Sequence, residues 1–212
     1  DLSDLVTLPE DANIIASFDQ SERVFQSVDG FPALVSDPWL NGRLTALHAS
    51  SDIWAMGASV SSAQVVITLP NVSSKIQRDL LSQSLAGINS ALLEQGAKLV
   101  GGHTVEARAD APFPSSLGIQ IALSVNGSLP WGVSPLTKGG MHSGDNLLIS
   151  RAIGSGVLFA ASRVGKCSPF DIDAAIGELS KSQHHLLGSF AKFHAQSNKA
   201  SSIHACTDIT GF

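Results

Sequence analysis

Three successive runs decide the fold: Gln64-Val-Val-Ile-Thr-Leu69, then Ile76-Gln-Arg-Asp-Leu-Leu-Ser-Gln-Ser-Leu-Ala-Gly-Ile-Asn-Ser-Ala-Leu-Leu93, then Leu99-Val-Gly-Gly-His-Thr-Val-Glu106. The first is rich in β-branched residues and closes at Pro70-Asn71, which predicts a strand. The second carries Ile76, Leu80, Leu81, Leu85, Ile88, Leu92 and Leu93 on one stripe. With Ser73 or Ser74 as its cap and Gly96 at its end, that spacing predicts an amphipathic helix. The third opens as a strand at Leu99-Val100 and breaks at two glycines. Glycine lets backbone approach a ligand closely, so Gly101, Gly102, His103 and Thr104 read as a candidate phosphate loop. A Gly-Gly pair is equally a plain turn. Strand, helix and strand in alternation put the chain in the α/β class.

Outward from this centre, Asn13–Ser17 and Arg23–Val28 read as short strands around a polar turn. Asp37-Pro38 opens a helix on which Leu40, Leu44, Leu47, Ser51 and Trp54 recur at three and four residue intervals, and Gly57 stops it. Leu117–Val125 is a further strand, with Ala107–Ser116 a mobile loop before it. Gly, Pro and Ser punctuation across 127–145 marks a boundary, giving units of 1–130 and 131–212. In the second unit Asn146–Ser150 and Ser202–Cys206 read as strands. Helices are expected through Val157–Ala161 and from Asp171 to about Gln196, the latter interruptible at Gly177 or Gly188. A chain that stops on a strand-to-turn motif at Phe212 suggests a fragment.

Composition narrows the function. Of 212 residues 43% are hydrophobic and 15% charged, with nineteen glycines, which is a well-buried composition and not a disordered one. A net charge of -5 with scattered Lys and Arg gives no footprint for nucleic acid or an anionic membrane. Two cysteines, Cys167 and Cys206, are too few for a disulfide framework. No signal peptide and no apolar stretch of about 20 residues is present. A soluble cytoplasmic protein is expected.

Four aspartates stand next to small residues: Asp11 before a strand, Asp29 just after one, Asp52 one helical turn after His48, and Asp208 after the last apolar run. Hard divalent cations such as Mg²⁺ take carboxylate oxygens together with substrate phosphates. With no CxxC or HExxH spacing, that chemistry suits this chain better than zinc. Each has a plainer use. Asp11 and Asp29-Gly30 are turn residues, Asp208 a helix cap and His48 a satisfied core histidine. Asp52 lies among Ala49, Ile53, Ala55 and Met56, where an unpaired carboxylate is costly. Lys138-Gly139-Gly140 could meet a phosphate, with an exposed linker lysine as the plainer reading; Cys206 reads as a small buried side chain, and Cys167 has no base partner.

In order along the chain, "EDANII" at Asp11, "SVDGF" at Asp29, "SDPWLNGRLTALHASSDIWAMGA" from Ser36, "KLVGGHTVEA" from Lys98, "KGGMHSGDNLLISRAIGSG" from Lys138 and "HACTDITGF" from His204 resemble selenophosphate synthetase (selenide, water dikinase). That family sits in the superfamily of aminoimidazole ribonucleotide synthetase, thiamine-monophosphate kinase and the hydrogenase-maturation dehydratase. The resemblance covers essentially the whole chain. "GGHT" and "TDITGF" are its most discriminating parts; in the first, sister kinases tend to carry an acidic residue in place of His103. The "HASSD" helix and the region near Asn198 resemble a branch fused to a flavin-dependent oxidoreductase.

The resemblance implies a two-domain fold, with an N-terminal dimerising β-sheet plus helices and a truncated C-terminal α/β domain. It implies ATP and selenide as substrates, Mg²⁺ as cofactor, a homodimer, and release of selenophosphate, AMP and phosphate. By position it implies Mg²⁺ at Asp11, Asp52 and Asp208. It implies nucleotide contacts at Asp29, Asp52, Gly102, His103 and Thr104, the last three shared across the homodimer. The family's Cys- or selenocysteine-Lys loop lies upstream of Asp11, where the ten preceding residues hold neither Cys nor Lys. This predicts no catalytic residue here and an inactive fragment. The alternatives are a kinase of the thiamine-phosphate type and a non-catalytic nucleotide-binding module fused to a redox domain.

Overall fold

The computed structural model describes residues 10–18, 21–108, 118–196 and 203–210. Five strands, β1 (Asn13–Phe18), β2 (Glu22–Pro32), β3 (Ser59–Leu69), β4 (Lys98–Glu106) and β5 (Gln120–Pro130), form one sheet in the order β1-β2-β5-β3-β4. β3 and β4 are parallel and every other pair is antiparallel. The parallel pair is joined by helix α2 (Ser74–Glu94), the crossover a parallel connection needs. Helix α1 (Pro38–Ala55) lies on β2 and β5, and α2 lies on α1, β3 and β4.

Local chemistry sets the helix ends. The Asp37 carboxylate accepts the Leu40 N–H at 2.9 Å and Pro38 opens α1, while Gly57 leaves it at φ +76°. The buried Asn41 side chain accepts the Leu34 and Val35 N–H groups and donates to the Val35 and Asp37 carbonyls, pinning the entry loop to the helix. At the far end Trp54 Nε1 donates to Gln95 Oε1 at 3.0 Å, tying the ends of α1 and α2 together.

Period-2 alternation divides the sheet. Phe25, Val65, Ile67, Ile121, Leu123 and Val125 point under the helices and are almost fully buried. Their neighbours Val28 and Val66 lie on the opposite, uncovered face, 69% and 47% exposed. Gln64, Val66, His103, Ala122, Ser124 and Val28 line a shallow groove of about 300 Å³ on that face.

Several elements differ from the sequence reading. β2 runs on to Pro32, so Asp29 lies inside a strand and not after one. β4 runs to Glu106, so Gly101, Gly102, His103 and Thr104 form no loop; they ladder with Gln64, Val65, Val66 and Ile67. Gly102 serves the pairing itself, since a Cβ there would strike the Val65 carbonyl, whereas one on Gly101 would make only an ordinary contact with Gln64. The expected loop at Ala107–Ser116 falls mostly outside the described residues.

After Pro130 come α3 (Ser155–Arg163), α4 (Pro169–Leu179) and α5 (Leu186–Gln196). The long predicted helix is thus two, broken between Leu179 and Leu186. Asn146–Ser150 and the described residues Ile203–Cys206 are not strands. A strand exists only as part of a ladder, and among the described residues neither segment has one; Leu147, Leu148 and Ile149 are 79%, 88% and 59% exposed. Among the described residues no helix is long and apolar enough to cross a membrane.

Candidate functional site

Residues 27, 29 and 31 of β2 share the face that carries buried Phe25, and so meet the last turns of α1. Residues 48 and 52 of that helix are one turn apart and lie on one side. The match is residue by residue: Asp29 Oδ2 is 2.8 Å from His48 Nε2, the Ser27 hydroxyl donates to Asp52 Oδ2, and the Phe31 ring meets the His48 ring edge to face at 5.2 Å.

Two segments distant in sequence close the site. Asp208 Oδ2 accepts the Ser51 hydroxyl at 2.5 Å. Asp11 accepts the Thr207 hydroxyl at 3.2 Å, and Lys138 Nζ lies 2.8 Å from Asp11 Oδ1. One carboxylate oxygen from each of Asp11, Asp52 and Asp208 lies within 4.8 Å of the others. The Asp11 side chain is 5% exposed, and its Oδ2 is buried with no hydrogen-bond partner among the described residues. A buried carboxylate oxygen in that condition costs free energy.

The electrostatics follow. Burial pushes the Asp52 carboxyl up to about 6, against the Ser27 hydrogen bond and with the charges of Asp208, Asp29 and Asp11 adding to the rise. Asp208 is raised in the same way, burial outweighing the Ser51 hydrogen bond. His48 goes the other way for a base. Burial lowers it, but the Asp29 hydrogen bond and the charges of Asp29, Asp208 and Asp52 win and raise it above 6.5. Burial likewise opposes ionisation of Asp29, but the His48 contact and the Gly30 N–H, which donates to Asp29 Oδ1 at 2.6 Å, together outweigh it, so Asp29 is lowered. Burial raises the half-buried Cys206 thiol, as do Asp11 and Asp208, which makes it a poor nucleophile.

The His48 pair gives a direct check. In the wild-type chain the His48 NMR titration has its midpoint above 6.5, and Asp29→Asn lowers it by at least about one unit, the scale of a contacting opposite charge. Because the folded value is raised, this pair stabilises the fold below pH 6.5, and that contribution disappears as pH climbs through the folded midpoint. A midpoint unmoved by Asp29→Asn would mean that the pair is not formed.

Of the residues singled out from sequence, the structure brings Asp11, Asp29, Asp52 and Asp208 together with His48. Gly102, His103 and Thr104 are not among them. They lie on the edge strand β4, three strand spacings from β2, roughly 14 Å at the usual separation. Lys138, weighed between a phosphate contact and an exposed linker lysine, is exposed, yet its ammonium pairs with Asp11 and so belongs to the site. Ser27, Ser51 and Thr207 were missed. The signals were local neighbours only: glycines beside Lys138, Asp52 beside Ser51, Asp208 beside Thr207, and the "SVDGF" run that Ser27 opens.

Comparison with known proteins completes the description. A family model described as AIR synthase related protein, N-terminal domain, matches residues 9–125. A selenide, water dikinase from Clostridium botulinum (strain Alaska E43 / Type E3) is 31% identical over 98% of this chain and 58% of its own. One from Agathobacter rectalis is 28% identical over 96% of this chain and 56% of its own. The chain thus spans just over half the length of these curated relatives. Among solved structures, thiamine monophosphate kinase from Aquifex aeolicus superposes with TM-score 0.62 at 16% identity, covering 85% of this chain and 59% of that one. A hydrogenase maturation protein, HypE, superposes with TM-score 0.60 at 19% identity, covering 85% and 53%.

Proposed function

We propose that this chain, which belongs to the AIR synthase related protein family, carries the ATP- and Mg²⁺-binding part of a selenophosphate synthetase. The observation that carries the reading is the convergence of Asp11, Asp52 and Asp208 around a buried, partnerless Asp11 oxygen. An all-oxygen donor set suits a hard cation, and the one Asp11 oxygen that lacks a hydrogen bond would gain a partner from it. The three aspartates would hold Mg²⁺, which would supply positive charge to offset that of the phosphate oxygens. Ser27 and Ser51 each hold one oxygen of Asp52 and Asp208, fixing how those carboxylates are presented. Lys138, 43% exposed at its side chain, keeps a positive charge at the rim where phosphate would arrive. Such a site works by positioning and charge stabilisation.

The remaining assignments rest on the same reading. Asp29 contacts the nucleotide from β2. Gly102, His103 and Thr104 contact it from the second chain of a homodimer built on the uncovered sheet face, which their separation from the carboxylates supports. Residues 1–130 form the nucleotide and dimerisation domain and 131–212 part of a second. The protein works in the cytoplasm. Its reaction converts ATP, selenide and water to selenophosphate, AMP and phosphate, and requires a Cys- or selenocysteine-Lys loop that these 212 residues do not contain.

Calorimetry with ATP tests the reading. ATP binds in Mg²⁺ and not in a metal chelator, and when the chain is joined to a family Cys-Lys loop, selenide and ATP give selenophosphate by phosphorus NMR. Binding indifferent to Mg²⁺ would end the proposal. The fold is shared with thiamine monophosphate kinase. Turnover of thiamine monophosphate with ADP as product would therefore replace selenide with that substrate.

A further inference from the structure

Outside the carboxylate site, one other set of ligand-type side chains converges among the described residues: His142, Asp145 and His204. His142 Nδ1 is 3.1 Å from His204 Nδ1, which is itself 2.9 Å from both Asp145 oxygens. The two rings stand edge to face, 86° apart, with centroids at 4.5 Å. An imidazole Nδ1 offers one in-plane site, either a lone pair or an N–H. If His204 Nδ1 carries the proton and gives it to Asp145, His142 faces no donor. If it accepts from His142, its lone pair faces a carboxylate. One proton cannot serve both contacts, whereas a cation among the three atoms serves all of them.

The spacing fits such an ion. In a tetrahedral shell, metal–ligand bonds of about 2.1 Å place ligand atoms about 3.4 Å apart. The three ligand atoms lie within 4.8 Å of one another, with His204 2.9 and 3.1 Å from its partners, so a spread of a few tenths of an ångström at His204 admits the ion. The supports are already built. Asp145 accepts the His142 N–H at 2.7 Å and returns its own N–H to the His142 carbonyl at 3.1 Å. The Cys206 N–H donates to the Thr137 carbonyl at 2.9 Å, joining the two segments that carry the ligands. Gly140, at φ +112°, has its backbone against the His204 carbonyl, where a Cβ would collide. His204 and Asp145 side chains remain 37% and 25% exposed, so an ion can enter and complete its shell with water.

We propose that His142, Asp145 and His204 form a second metal site, separate from the carboxylate site, for a borderline divalent ion of the zinc class. Two imidazoles and one carboxylate select zinc, cobalt or nickel over magnesium. Bound there, the ion clamps the 137–145 segment to the 203–208 segment. Lys138 and Asp208 each lie four residues from a ligand histidine, so the clamp also steadies two members of the carboxylate site.

The test uses Zn²⁺ alone, titrated into the 212-residue chain in excess Mg²⁺ against a chromogenic chelator. Co²⁺ visible absorption reports direct ligation. The wild-type chain takes one equivalent with a Co²⁺ band. H142Q and H204Q each weaken Zn²⁺ by at least about 10-fold and lose the band, while circular dichroism shows the fold unchanged. Equal Zn²⁺ affinity in wild type and the H142Q/H204Q double variant overturns the proposal. So does a loss of binding confined to H184Q/H185Q or to Asp52→Asn.

Discussion

Asp52→Asn weakens Mg²⁺-dependent ATP binding by at least about 100-fold, yet raises the melting temperature of the metal-free chain by about 2–4 °C at neutral pH. The two effects have one cause. In the folded chain the Asp52 carboxyl titrates at about 6, against 3.8 as its ordinary value. Between those values the folded state holds a proton that the unfolded state has released, so stability falls as pH rises from about 4 to about 6 and stays reduced above. A two-unit shift corresponds to about 3 kcal/mol, and solvent screening at this half-buried site reduces that to about 1 kcal/mol. Asparagine keeps an acceptor for the Ser27 hydroxyl while removing the charge that burial and Asp208 oppose. It also removes an anionic oxygen from the set that would hold the cation. Calorimetry and thermal melts on the same preparation separate the effects. Weak binding with a lowered melting temperature would mean plain misfolding, and unchanged binding would remove Asp52 from the metal site.

The same arrangement explains what the sequence disclosed. Helix α1 was legible because its signals are local: a capping Asp37, Pro38 at the first turn and Gly57 beyond the last. The ends of α2 were legible for the same reason, and its inner face in part. Of the apolar stripe Ile88 and Leu92 are fully buried and Leu80, Leu81 and Leu85 pack against the core, but Ile76 and Leu93 are 49% and 62% exposed, and the buried Ser84, Gly87 and Ala91 went unread. Periodicity finds large side chains and overlooks small ones that bring backbones together. The aspartates could be named individually, but their meeting depends on strand order, and order is a property of the whole sheet. Gly101-Gly102 was misread for a related reason. A glycine pair looks like a turn until a neighbouring strand is present, and β3 is that neighbour. Lys138 stayed undecided because its partner is 127 positions away and nothing local distinguishes it from a solvated lysine. Asn146–Ser150 carries strand-like residues, yet side-chain preference alone does not supply the ladder that makes a strand.

Gly87→Val should lower the melting temperature by roughly 6–12 °C, the effect of at least about 3 kcal/mol in a chain of this length. A Cβ on Gly87 would collide with the Trp39 carbonyl oxygen in α1, and one on Gly42 with the Ser84 carbonyl oxygen in α2. The two glycines therefore face opposite backbones across one crossing, and neither obstruction is a flexible side-chain tip that could swing aside. Valine forces the helices apart, opening the layer where Ala46, Ala49, Ile88, Ala91 and Leu92 are fully buried. Gly177→Ala in α4 is the matched control, because a Cβ there meets nothing within 4 Å and alanine gains up to about 1 kcal/mol of helix propensity. Equal melting temperatures for the two variants would mean that the crossing is looser than drawn. The consequence reaches the carboxylates, since His48, Ser51 and Asp52 all ride on α1. A helix displaced from α2 also shifts against β2, so the Ser27–Asp52 and Asp29–His48 contacts loosen in the same step. Gly87→Val then weakens Mg²⁺-dependent ATP binding below its own melting transition, although Gly87 touches none of the residues that would hold the ion.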